Sequence, residues 1–274
     1  LNWVLIYGKL GAPELGLNGA GIETLISRGL MPIMMGWYVI RSKRYRQFDL
    51  QLGIKKLRFF MINRILKIGL PTGFQYIFEV SAFSAAAIMM GWIGVNALAG
   101  HQIALNLASI SYMMAAGLST AGMIRVSNQI GKGNQKAMRE SGMVVFGMVL
   151  VFMFTCAVIF VVFRYTLPTF YIDDTEVIQI SASLLVIAGL FQLSDGVQVV
   201  GLGVLRGMED VKFPTIITLI AYWVLGLPLG YFLAFELEMG AEGIWYGLLI
   251  GLSITAVVLF FRFNMLSKKP IGKV

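Results

Sequence analysis

A chain of 274 residues that is 58% hydrophobic and only 13% charged carries too little polar surface to coat a soluble core of its size. Its 22 Lys and Arg against 14 Asp and Glu leave a net charge of +8. The basic residues fall in short stretches between apolar runs, which fits the positive-inside rule and argues against nucleic acid as a partner. Several runs of twenty or more apolar residues set the class as an all-α polytopic membrane protein whose partner is the lipid bilayer. The single cysteine, Cys156, lies within one such run and excludes an intramolecular disulfide or a thiolate metal cluster.

In chain order, Leu1–Leu10 is too short to span and reads as the tail of a helix that begins upstream. The turn-rich loop GAPELGLNG leads into Gly19–Ile40, the first full span. Glu23 and Arg28 lie on different faces of it, so their partners are neighbouring helices or a water-filled cavity. Arg41–Lys67 is a long polar connection with Asp49 as its lone acid, and its second half, IKKLRFFMINRILK, interleaves basic and apolar residues as an amphipathic helix on the cytoplasmic membrane face would.

Six spans follow: Ile68–Trp92, Val95–Met123, Met143–Tyr165, Val177–Leu205, Phe213–Phe235 and Gly243–Phe261. Their connections alternate between basic ones and neutral or acidic ones. Arg125, Lys132, Lys136 and Arg139 lie on one side; Asp173, Asp174 and Glu176 lie on the other. This alternation orients the chain with its C-terminus in the cytoplasm. The segment GLNGAGIETLISRG echoes MGAEGIWYGLLIGL near the end, as though each opened the last span of a six-span half. The expected layout is residues 1–40 as the end of an N-lobe, 41–67 as a basic inter-lobe linker and 68–274 as a six-helix C-lobe bundle. Together they would belong to a twelve-helix, two-lobed plan whose missing N-lobe is a partner within the same polypeptide.

Two of these spans carry an acid far from either end. Glu79 lies about 18 Å from Lys67 and Asp195 about 16 Å from Arg206 at 1.5 Å per residue, which puts both near the bilayer midplane. An ionisable group there costs roughly 2.5–3.5 kcal/mol on insertion scales and marks a substrate or ion path by default. The face of Glu79 adds Thr72, Gln75 and Tyr76; that of Asp195 adds Phe191 and Gln198; Gln102, Asn106 and Ser109 stripe another span. The amides and hydroxyls serve either as cavity lining or as interhelical glue. The acids have no basic residue at their depth within the six-span unit, so the pair suits exchange of a proton for a bound sodium ion or a cationic substrate.

Glycines at Gly226-x-x-x-Gly230, Gly243-x-x-x-Gly247 and Gly247-x-x-x-Gly251 permit close helix packing, and Pro228 favours a kink. Pro71 falls near a helix start, where proline costs little. His101 has no second His and no Cys nearby, so no metal site is expected beyond sodium at Glu79 and Asp195. Gly131-Lys132-Gly133 reads as a turn. No nucleophile–base constellation suggests an enzyme, and no cofactor is implied.

Five segments together resemble the multidrug and toxic compound extrusion (MATE) family, in particular its NorM-like members. They are NALAGHQIALN (Asn96–Asn106), RVSNQIGKGN (Arg125–Asn134), GLGVLRGMEDVKFP (Gly201–Pro214), LPLGY (Leu227–Tyr231) and GIWYGLLIGL (Gly243–Leu252). The resemblance implies an inner-membrane antiporter that exports drugs or small organic cations in exchange for sodium ions or protons. It also implies that this portion does not transport alone. Glu79 and Asp195 match acids that the family associates with cation binding, while Arg125 and Arg206 match loop motifs with structural or gating roles. Phe191 stands where tyrosine would offer an oxygen. The alternatives are a flippase for lipid-linked oligosaccharide precursors of the same superfamily and a non-transporting membrane scaffold.

Overall fold

The computed structural model describes residues 2–9, 11, 13–42 and 59–270, which are helical with no strand among them. The helices are α1 (Asn2–Tyr7), α2 (Gly16–Arg41), α3 (Phe59–Ile93), α4 (Val95–Gly131), α5 (Gln135–Val162), α6 (Thr175–Gly207), α7 (Lys212–Glu236) and α8 (Gly240–Leu266). Six of them, α3 to α8, are long and apolar enough to cross a membrane. Many of their large apolar side chains are exposed, Val151, Phe154 and Val162 among them. A bilayer accepts such a surface because every backbone polar group is satisfied within the helix.

The chain divides into two compact units, Leu1–Met61 and Ile62–Val274. In the first, Gly19 lets α2 approach the backbone at Leu5, where a β-carbon would collide with the carbonyl. The amide of Leu15 also donates to that carbonyl at 3.1 Å. The sequence reading counts Gly19–Ile40 as a span. The helix is there and has sufficient length, but it carries Glu23 and Arg28 and is not among the six that are also apolar enough. Glu23 takes its hydrogen bond from Ser27, one turn along the same helix, at 2.6 Å.

In the second unit α6 is the central member, packed against α4, α5 and α8. Its start is fixed by Asp174, whose carboxylate accepts from the amides of Glu176 (2.9 Å) and Val177 (3.1 Å) and so satisfies donors that a helix start leaves open. Small residues let neighbours approach it. Gly203 and Gly207 of α6 lie against the backbone of α4 at Ser119 and Met123, and Gly196 lies against Met153 of α5. The Ser119 hydroxyl donates to the Val199 carbonyl at 2.6 Å across the same contact.

The α4–α5 connection is the tight turn read from Gly131-Lys132-Gly133. Gly133 takes a left-handed φ of 68°, which a helix C-terminus favours, and the Asn134 side chain caps α5 by accepting from the Ala137 amide at 3.0 Å. Arg139, expected in a connection, is on α5. It donates to the Asn264 carbonyl (3.2 Å), the Asn264 amide oxygen (2.7 Å) and the Ser267 hydroxyl (2.8 Å), closing the end of α8.

Two readings change. Residues 59–67, expected in an amphipathic surface helix, continue without a break into the span as the first turns of α3, while residues 43–58 of that expected linker lie outside the described residues. Pro71 is therefore well inside α3 and not at its start. Its ring removes one donor from the helix, and the Thr215 hydroxyl of α7 donates to its carbonyl at 2.9 Å. In α7, Pro228 cannot donate to the carbonyl of Val224 four residues back. The chain answers with a wider π-helical turn over Ile220–Gly226, and a second follows at Phe232–Glu236.

The glycine spacings read from sequence form the α7–α8 seam. A β-carbon on Gly247 would strike the backbone of Gly230, and one on Gly251 the carbonyl of Ala221. Gly247→Ala is thus expected to destabilise the lobe by about 1–3 kcal/mol through overpacking. Gly117→Ala, which meets nothing within 4 Å, should be neutral or slightly stabilising through helix propensity. Thermal unfolding of the two variants in detergent checks the contrast.

Candidate functional site

Glu79 belongs to the buried face of α3, with Gln75 one turn before it and Ala82 and Ala86 after it. Asp195 sits on α6 beside Gly196, where the absence of a side chain lets α5 close in behind it. The acids are 7% and 6% exposed. Both line one cavity of about 460 Å³ bounded by α3, α4 and α6. No basic side chain lines this cavity. The ion pairs of the described residues are Arg64–Glu209, Lys136–Glu140 and Arg262–Asp210, none of which involves either acid.

A short relay holds Glu79. The Gln198 amide donates to Glu79 Oε1 at 3.1 Å, and the Tyr222 hydroxyl donates to Gln198 Oε1 at 3.1 Å. Tyr222 thereby fixes which end of the amide faces the carboxylate. Glu79 Oε2 is buried with no hydrogen-bond partner. Among the described residues no hydrogen bond reaches Asp195 either. Buried polar atoms are almost always paired, and Glu79 Oε2 is one of the exceptions among the described residues.

The structure places the other sequence candidates unevenly. Tyr76, Gln102 and Ser109 line the cavity with the acids. Phe191 lines it too, edge-on to Phe83 at 6.1 Å between ring centroids and tilted against Trp245 at 5.8 Å, a hydrophobic wall with no oxygen to offer. Gln198 acts from behind Glu79, and Gln75 faces a smaller pocket. Asn106 is outside the cavity, exposed, and accepts from the Tyr171 hydroxyl at 2.8 Å. His101 is a buried packing residue whose Nδ1 accepts from the Trp245 indole at 3.1 Å.

Three residues escaped the sequence reading. Tyr222 lies within a π-helical turn, where counting by 3.6 residues misassigns the face. Tyr112 lines the cavity one turn from Ser109 and extends the stripe already noticed. Gln192, three residues before Asp195, is fully buried and accepts from the Ser111 hydroxyl at 2.9 Å, tying α6 to α4. Its spacing from the acid was a usable signal.

A multi-pass helical membrane protein with two buried acids on one central cavity is the class that fold and site define. The chain belongs to the MatE family, whose model matches residues 71–232. It is 37% identical over 274 residues to the multidrug resistance protein MdtK of Yersinia pseudotuberculosis serotype O:1b (strain IP 31758), covering 98% of this chain and 60% of that protein. The MdtK of Yersinia enterocolitica serotype O:8 / biotype 1B matches to the same extent. The chain thus spans about 60% of the length of the curated relatives it matches. Among solved structures it resembles the eukaryotic MATE transporter AtDTX14, with a TM-score of 0.85 and 23% identity over 100% of this chain and 61% of that one. It also resembles a MOP superfamily transporter from Pyrococcus furiosus, with a TM-score of 0.82 and 20% identity over 99% of this chain and 60% of that one.

The relay predicts a graded effect. Tyr222→Phe removes one neutral hydrogen bond and is expected to cost about 1 kcal/mol, whereas Gln198→Leu strands two buried groups and should cost about 1–3 kcal/mol. Thermal unfolding in detergent should rank them in that order below the wild type.

Proposed function

We propose that this chain is the ion-binding part of a cation-coupled exporter of organic cations. One observation carries the reading: Glu79 and Asp195, from separate helices, share a cavity that no basic side chain among the described residues lines, and Glu79 Oε2 is buried without a hydrogen-bond partner among them. Such a site takes a sodium ion or a proton, and a positively charged substrate competes for the same negative potential. The MdtK relatives, named as multidrug resistance proteins, support export as the direction of transport.

The expected layout supplies the rest. Residues 68–274 would make up one lobe, and the further length present in the relatives would supply the partner lobe of a twelve-helix transporter in the cell inner membrane. The C-terminus would lie in the cytoplasm with the basic connections. Ion entry down its gradient would favour the arrangement that releases substrate, by rocking one lobe against the other. A flippase for lipid-linked oligosaccharides would need cations around an anionic phosphate, and here the cavity holds acids.

Efflux of a fluorescent organic cation from vesicles containing the full-length protein tests this. Sodium or a pH gradient should stimulate it, and Glu79→Gln or Asp195→Asn should lower the gradient-driven rate by at least about tenfold, the scale of one charge lost a few ångströms from a bound cation. Gradient-driven efflux at the wild-type rate in both variants would remove the coupling role.

A further inference from the structure

A second, smaller pocket lies one helical turn from Glu79, toward the end of the lobe that carries Arg64, Arg206 and Arg262. Its volume is about 50 Å³, and its polar lining is Gln75, Tyr76, Tyr112, Ser119, Thr120 and Arg206. Gln75 is 3% exposed and its amide nitrogen has no partner. The Ser119 and Thr120 hydroxyls donate to the carbonyls of Val199 (2.6 Å) and Ala116 (2.9 Å), so their oxygens remain available as acceptors. A polar space of this size suits about one or two water molecules, at roughly 30 Å³ each. Tyr76 and Tyr112 line both this chamber and the 460 Å³ cavity, so the two tyrosines are the wall between them.

Arg206 is the unusual member. It stands in the last turn of α6, with its guanidinium 5.8 Å from the centroid of the Tyr76 ring. Among the described residues no carboxylate pairs with it. The C-terminal end of α6 offers about half a negative charge, which offsets Arg206 only in part. Of the other arginines at this end, Arg64 is held by Glu209, Arg262 by Asp210 and Arg139 by Asn264 and Ser267, while Arg125, like Arg206, has no carboxylate partner among the described residues but does not line the chamber.

We propose that Arg206 and the chamber form an electrostatic barrier that admits water and turns back cations, closing this end of the lobe to the coupling ion. A monovalent cation about 5 Å from the guanidinium, at an effective dielectric near 20, is disfavoured on the order of a hundredfold. Neutral water meets no such penalty. A fixed positive charge in a narrow polar passage excludes ions in this way. The ion then reaches Glu79 and Asp195 only through the larger cavity, which is also the only one of the two spacious enough for an organic substrate. Ion and substrate share one door, and exchange rather than leak follows. The inference rests on the ion-binding role proposed above for the two acids.

The full-length protein in vesicles, under a sodium or pH gradient and without substrate, provides the test. The wild type and Arg206→Lys should hold either gradient, and Arg206→Gln should dissipate one of them about tenfold faster. Thr120→Asp, at an exposed position of the same lining, leaves Arg206 in place but neutralises its field, and should leak in the same way. A folded Arg206→Gln or Thr120→Asp protein as tight as the wild type overturns the barrier; where Arg206→Gln fails to fold, Thr120→Asp alone decides. Dye efflux measured in the same vesicles separates the two readings. An exporter indifferent to both gradients removes the ion site and the barrier with it, whereas gradient-driven export with no leak in the variants removes only the barrier.

Discussion

The lobe carries two buried carboxylates on one cavity that no basic side chain among the described residues lines. A protein that needed only stability would neutralise them, either by placing an arginine in the cavity or by replacing them with apolar residues of similar volume, which is often no worse for stability than a buried ion pair. Here the cations stay at the ends of the helices. Arg262 is held by Asp210 and Arg139 by the carbonyls and side chains closing α8, so neither reaches the centre. Among the described residues, those that line the cavity therefore supply two acids and no base.

The two acids are held by different means. Asp195 sits on a helix that small residues lock against α4 and α5, so its position is a property of the packed core. Glu79 sits on α3, which joins the rest through core packing of Ala82, Ala86, Met89 and Met90 and through hydrogen bonds from Thr215 to the Pro71 carbonyl, from the Trp223 indole to the Phe78 carbonyl at 3.1 Å, and from Gln198 to Glu79 itself. The spacing of the acids thus depends on both the packing and the hydrogen bonds of α3.

The sequence disclosed most of this because helix rise and membrane thickness are fixed quantities. Counting from Lys67 and Arg206 put Glu79 and Asp195 at one depth, and the structure has them on one cavity. Glycine spacing likewise marked the α7–α8 seam, since only a missing β-carbon permits that approach. What failed was whatever depended on where a helix starts or how tightly it winds. Pro71 looked terminal because basic residues before it resembled a connection, although polar side chains can ride a helix beyond the bilayer. Tyr222 was invisible because a π turn changes the phase of the residues around it. Asn106 lies about 60° round its helix from Ser109, enough for Tyr171 rather than the cavity to claim it.

Phe191 and Tyr222 meet the acids in different ways. A tyrosine at position 191 would present its oxygen to the cavity directly, in front of the acids. The phenylalanine instead joins Phe83 and Trp245 in an aromatic wall, and the phenol that serves Glu79 comes from Tyr222 on α7, acting through Gln198. That relay engages only Oε1. It orients the carboxylate while leaving Oε2 unclaimed, which a hydroxyl placed in the cavity would be free to occupy. A tether from behind and an apolar wall in front keep the acid fixed in direction with one oxygen unpaired, the geometry on which the proposed cation site rests.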